Sequence, residues 1–286
     1  MEYEKTTTVL ERMDQALDFS TLYNLPGWMA ALIIVGFLLV LSFVLIHIVH
    51  KRFTFYVDHK TDIVSLYSSS SGVLYSVLLA LMTVNAWENI NTLDDAVEVE
   101  AFTLGDIYRD VDGLPEDIKL TVRNGLWEYA RDVHDIEWPN LGKGVVVQSA
   151  RGALDKMYGA VLHFKPKDFG ESNVHAEVLK GLNKVAYYHR KRMASVDEEV
   201  YPILWVVVWV GGLVNLGINA LAASGHRMLD YLLQGTYAVN IGLVVYLIFS
   251  LDHPFVGAVT VSPEPFKYVM GTMKHVDHHP LGDVRN

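Results

Sequence analysis

Cysteine is absent from the 286 residues, which excludes a disulfide framework, thiolate catalysis and a cysteine-held zinc. An excess of cations is absent too. Lys and Arg total 23 against 33 Asp and Glu, a formal charge of -10. Nucleic acid, whose phosphates demand a basic face, is thereby excluded as a partner. No Walker loop, glycine-rich dinucleotide turn, HExxH or serine elbow occurs, so neither an enzyme nor a cofactor is expected. No β-hairpin signal or internal repeat stands out. The opening "MEYEKTTTVLERMDQALDFSTLYNLPG" lacks the early basic-then-apolar order of a cleaved secretory signal.

What is abundant is apolar: 51% of the chain. The run Trp28–Val49, "WMAALIIVGFLLVLSFVLIHIV", has the roughly 20 residues that cross hydrocarbon, and its cations Lys51 and Arg52 come only afterwards. Ser68–Ile90 is a second span with polar residues throughout, Pro202–Ala223 a third that opens on proline, and Leu229–Leu251 a fourth. Between the pairs, Asn91–Tyr201 reads as helices. Asn91–Val111 continues the second span, "DGLPED" stops and restarts the chain, and Glu116–Glu137 keeps helical period until "EWPN". Val145–Leu162 predicts another helix, "HFKPKDFGES" a loop, and Val174–Glu199 a long helix. The expected fold is an all-α membrane protein, four transmembrane helices in two hairpins with an inserted helical extramembrane domain. Its segments are an N-terminal amphipathic, flexible stretch 1–26, a hairpin 27–90, the helical domain 91–201 and a hairpin 202–251. A C-terminal segment 252–286 then packs on the helical domain and ends in a flexible tail.

Polar residues inside spans need partners or water. Tyr75, Leu78 or Leu79, Met82, Asn85 and Asn89 share one face of the second span; Ser76 and Thr83 share another. Gly212, Asn215 and Asn219 align on the third span, and Asp230, Gln234, Tyr237 and Asn240 or Ile241 on the fourth. Two readings stand: interhelical packing glue, or the lining of a permeation path. At the end of the second span the acids Glu88, Asp94, Asp95, Glu98 and Glu100 form a solvated face, a cation site, or partners of Arg190-Lys191-Arg192. His275, Asp277, His278 and His279 are metal-capable residue types in a tail expected to be disordered, and no metal site is assigned. Trp127, Tyr129, Trp138 and Tyr187-Tyr188 are core residues or anchors for a partner. Lys51, Arg52 and Lys60 fall on the opposite side from Arg190, Lys191 and Arg192, so the positive-inside rule divides against itself.

The stretches "LLALMTVNAWENINTLDDAVEVEAFTLGDIYRDVDGLPEDIK", "LWEYARDVHDIEWP", "HRKRM" before "PILWVVVWVGGLV", and "LDHPFVGAVTVSPEPF" keep one order between Leu25 and Val269. The chain resembles the bestrophin-like family of mostly bacterial membrane proteins, and more distantly the bestrophins, pentameric anion channels with a cytosolic helical domain. The resemblance implies a homo-oligomer in the bilayer of the bacterial inner membrane, with termini and helical domain cytoplasmic and chloride as candidate permeant ion. It implies a pore-lining second helix, with Tyr75, Leu78, Leu79, Met82, Asn85 and Asn89 facing the lumen and Glu88, Asp94, Asp95 and Glu98 at its mouth. Trp87-Glu88 look like the aromatic–acid pair that follows the neck of bacterial bestrophins. The turn Asp252, Pro254, Phe255 and Gly257 is similar to the bestrophin Pro-Phe-Gly, but "AVTV" stands where the calcium-clasping acids of the animal proteins belong. The turn is therefore read as structural, with Asp252 and His253 where the chain meets water. The alternative function is a non-conducting scaffold whose helical domain binds a partner protein.

Overall fold

The computed structural model describes residues 20–23, 25–52, 61–196, 200–223 and 226–278. All regular elements among them are helical, as expected. The principal ones are α1 (Gly27–Arg52), α2 (Thr61–Asp110), α3 (Glu116–Asp132), α4 (Arg151–His163), α5 (Phe169–Ala194), α6 (Pro202–Leu221), α7 (Arg227–Asp252) and α8 (Glu264–His278). Four of these, α1, α2, α6 and α7, are long and apolar enough to cross a membrane. Lys60, Glu199, His279 and most of the N-terminal stretch lie outside the described residues.

The chain divides into two compact units, Met1–Asn89 with Glu199–Val259, and Ile90–Glu198 with Thr260–Asn286. In the first, α1 buries one stripe, Ala30, Ile34, Leu38, Ser42, Ile46 and Val49, at helical spacing. Ile34 and Leu38 join Tyr75, Leu79 and Met82 of α2, Trp205 and Val208 of α6, and Ile241, Val245 and Ile248 of α7 in one core. Close approach of α1 and α7 depends on Gly242, where a Cβ would stand 3.0 Å from the Val35 backbone.

In the second unit, α2 ends in a 3-10 turn, Val111–Gly113, and Pro115 caps α3, so "DGLPED" stops and restarts the helix as expected. Four boundaries depart from expectation, one of them the end of α5, which stops at Ala194 before the expected Glu199. Beyond α3 the chain does not break at "EWPN". It widens into a π turn, Val133–Glu137, and continues as a short helix, Trp138–Leu141, whose first turn holds Pro139 where no N–H is needed. Helix α4 starts six residues after Val145, at Arg151. Helix α5 starts inside the expected loop, because the Asp168 carboxylate accepts the Glu171 N–H at 2.8 Å and caps it. The C-terminal segment also forms a helix, α8, which buries Phe266, Val269 and Met273 within this unit.

Candidate functional site

The second span is exceptional among the four. It has the lowest mean hydropathy, yet only 11% of its most apolar stretch is buried inside the chain, against 28%, 33% and 44% for the others. One face packs inward: Tyr75, Leu79, Met82 and Ala86 are buried and Leu78 is half-buried. Tyr75 donates to the Val208 carbonyl at 2.9 Å. Gly211 makes room for its ring, since a Cβ there would stand 2.8 Å away. The opposite face presents Leu74, Val77, Leu81 and Val84 at spacings of three and four, and Glu88 continues that stripe one turn further; all five are exposed. Asn85 and Asn89 are exposed to the side of it. The sequence-level candidates include the first face but not Leu74, Val77, Leu81 and Val84, although their spacing is as regular. Which face turns inward is decided by the glycines of α6, a signal from another helix.

Polar groups deeper in the bundle join all four spans. Asn219 donates to the Gln234 side-chain oxygen at 2.7 Å, and Gln234 donates to the Leu216 carbonyl at 2.9 Å. Ser68 donates to Asn219 at 3.4 Å, and Ser42 to the Gln234 carbonyl at 3.2 Å. Asn215 donates to Gly211 of its own helix at 2.9 Å, and His50 meets the buried Asp230 carboxylate at 3.3 Å. For Ser42, Ser68, Asn219 and Gln234 this is the packing-glue arrangement.

At the end of α7, Asp252 is not where the chain meets water. It is 6% exposed. One carboxylate oxygen accepts the Val200 N–H at 2.7 Å; the other accepts the Trp205 Nε1–H at 3.1 Å and the Tyr23 hydroxyl at 3.4 Å. His253 is extended ahead of Pro254 and stacks on Tyr23, ring centroids 3.8 Å apart. Gly257 holds φ at 107°, a conformation that side-chain-bearing residues avoid. Sequence reasoning looked to this turn for water contact because a short carboxylate after an apolar run is ordinarily solvated.

In the second unit one of the three readings of the acid cluster, pairing with the basic run, holds for a single pair. Arg192 binds Glu100 through Nε at 2.9 Å and Nη2 at 3.0 Å, and Nη2 also reaches Glu137 at 3.0 Å. Tyr129 donates to Glu100 at 2.5 Å, and His189 meets Glu137 at 3.3 Å. Burial opposes the charge on Arg192, but Glu100 and then Tyr129 and Glu137 outweigh it and push its pKa up. Burial by itself would raise Glu137; the hydrogen bond from His189, the charges of Arg192 and His189, and the Ala150 N–H hold it below the ordinary carboxylate value. Burial, then the Glu100 charge, pushes the Tyr129 phenol well above its usual range. Glu137, absent from the sequence-level candidates, lies where α3 widens into its π turn. Glu88, Asp94, Asp95 and Glu98 are exposed. Tyr129 and Trp138 are buried in the core, while Tyr187 is exposed.

In the C-terminal helix Asp277 accepts the Tyr108 hydroxyl at 2.7 Å, and the resulting hydrogen bond follows burial among the causes that push the Tyr108 phenol up to about 12. His279 and the side chain of His278 lie outside the described residues. Among the described residues, no group of three or more His, Asp or Glu is placed to hold a metal ion.

The family description "Bestrophin-like domain" matches residues 32–266. No curated protein matches the sequence. Two crystal structures of a bacterial Bestrophin homolog from Klebsiella pneumoniae are similar in fold. One, carrying a tyrosine-to-alanine mutation, matches at a TM-score of 0.60 and 12% identity over 85% of this chain and 98% of that one. The other, with a leucine-to-threonine mutation, gives 0.59 and 11% over 87% and 99%.

Proposed function

Because the chain belongs to the bestrophin-like family, we propose that it is one subunit of an oligomeric ion channel, a pentamer like the bestrophins it resembles, with the second span turned to the axis. The supporting observation is the mismatch on that span: it is the least apolar of the four and the least covered by its own chain. Exposed Ser76, Asn85, Glu88 and Asn89 are costly against hydrocarbon and favourable against water or a neighbouring subunit. Leu74, Val77, Leu81 and Val84 then form an apolar neck that gates by dewetting, and Glu88 stands at its mouth. On this reading Tyr75, Leu79 and Met82, first assigned to the lumen, hold the helix against the bundle, and Leu78 sits at the margin. The proposed setting is the bacterial inner membrane, with the helical unit and both termini in the cytoplasm.

Kinship favours chloride as the permeant ion, whereas a ring of Glu88 carboxylates draws cations. Purified protein in a planar bilayer tests the reading: unitary currents are expected, with a reversal potential in a salt gradient reporting the charge of the permeant ion. Oligomers that stay silent over a wide range of voltage and ions would overturn it.

A further inference from the structure

A cavity of about 550 Å³ opens in the second unit between the start of α4 and the end of α5. That volume lies in the range of pockets that hold small molecules. Its charge runs against that of the chain, which is acidic at -10. Two guanidinium groups, Arg151 and Arg190, line it beside a single carboxylate, Asp155. Asp155 lies 4.0 Å from Arg151. Arg151 also donates to Gln148 at 3.2 Å, and Arg190 is exposed on the cavity wall. The rear wall is His189, its side chain 6% exposed and its Nε2 turned to Glu137 at 3.3 Å, so the cavity adjoins the Glu137–Arg192–Glu100 network. Leu154 and Met193 supply an apolar flank.

We propose that this cavity binds a small organic anion, its carboxylate or phosphate oxyanion seated on Arg190 and Arg151 and its apolar body against Leu154 and Met193. Guanidinium presents paired, weakly hydrated donors that match an oxyanion. A cation of the same shape meets two like charges. Binding requires no ion flow, so this inference and the channel reading stand or fall separately.

The test is fluorine NMR of para-fluorobenzoate titrated onto full-length protein in lipid nanodiscs. Saturable broadening is expected, and none with para-fluorobenzylamine. Arg151→Gln with Arg190→Gln should weaken binding at least about tenfold. Lys180→Gln with Arg109→Gln, an equal charge change away from the cavity, should leave it intact. Because cysteine is absent, a nitroxide on Gln148→Cys marks the cavity rim uniquely. It should broaden bound para-fluorobenzoate more than a nitroxide on Lys119→Cys, which reports location even if the arginine variants fold poorly. No saturable binding, equal weakening by both charge pairs, or equal broadening by both labels overturns the proposal.

Discussion

The guanidinium of Arg192 forks across the carboxylate of Glu100, 92 residues earlier, with both side chains fully buried. Removing one partner of such a pair leaves an uncompensated charge in a low dielectric, a loss of about 3–5 kcal/mol. Arg192→Met should therefore lower the thermal unfolding midpoint sharply. Arg192→Lys keeps the charge but cannot make the fork or reach Glu137 with it, and should fall between the two. Near-ultraviolet circular dichroism of protein in detergent reads both. A midpoint unchanged in Arg192→Met would mean the pair contributes nothing net.

The two faces of the second span make opposite predictions. Met82 is buried and Leu81 is 66% exposed. Met82→Ala should cost about 2–5 kcal/mol of stability and leave unitary conductance close to wild type. Leu81→Ala should do the reverse, barely moving the midpoint and raising conductance or open probability by widening the neck. Single-channel recording beside thermal unfolding separates them, and conductance changes that follow Met82 would return the lumen to the buried face.

Glu88 is exposed one turn beyond Val84 on the proposed lumen stripe. Glu88→Gln removes one negative charge per subunit from the mouth. The reversal potential in a salt gradient should shift toward the anion equilibrium potential, and the shift should shrink at high salt as screening shortens. An unshifted reversal potential would place Glu88 off the ion path.

Much of the architecture is legible because membrane spans are specified locally: α1 is an unbroken apolar run, and each hairpin announces itself by composition. The start of α5 is equally local in origin, an Asp168 side chain on the Glu171 N–H, but loop-like composition masked it. What sequence cannot display is which of two well-formed stripes on α2 meets the bundle, because Gly211 and Gly212 decide that from more than a hundred positions away. Long-range acid–base pairing is half visible. Glu100 and Arg192 each belong to a charge cluster readable in the sequence, yet only folding selects that pair and leaves Asp94, Asp95 and Glu98 exposed on the chain. Asp252 inverts its expected environment for the same reason: its three donors come from Tyr23, Val200 and Trp205, distant in the chain.

Glu137 gives the second unit an acid limit. Its folded pKa lies below the ordinary carboxylate value, held down against burial by His189, Arg192 and the Ala150 N–H. A depressed carboxylate contributes stability that is fully present above its unfolded pKa and lost as pH falls through the folded one. The unfolding midpoint should thus drop as pH falls below the ordinary glutamate range. In Glu137→Gln the midpoint should start lower at neutral pH and decline less steeply. Parallel pH profiles for the two proteins would mean that other carboxylates set the acid limit.

Asp252 offers the sharpest contrast between a structural and a metal-binding turn. Both oxygens are taken by donors, Oδ1 by the Val200 N–H and Oδ2 by Trp205 and Tyr23, so the carboxylate has little left to offer a cation. Asp252→Ala strands those donors. A buried donor left unsatisfied costs about 1–3 kcal/mol, so the midpoint should fall by more than for Tyr23→Phe, which removes only the long 3.4 Å bond. Calcium added to wild-type protein should not move the midpoint, because a ligand raises stability only through preferential binding to the folded state. A calcium-dependent rise that disappears in Asp252→Asn would show that the cation displaces these donors and that the turn is a metal site after all.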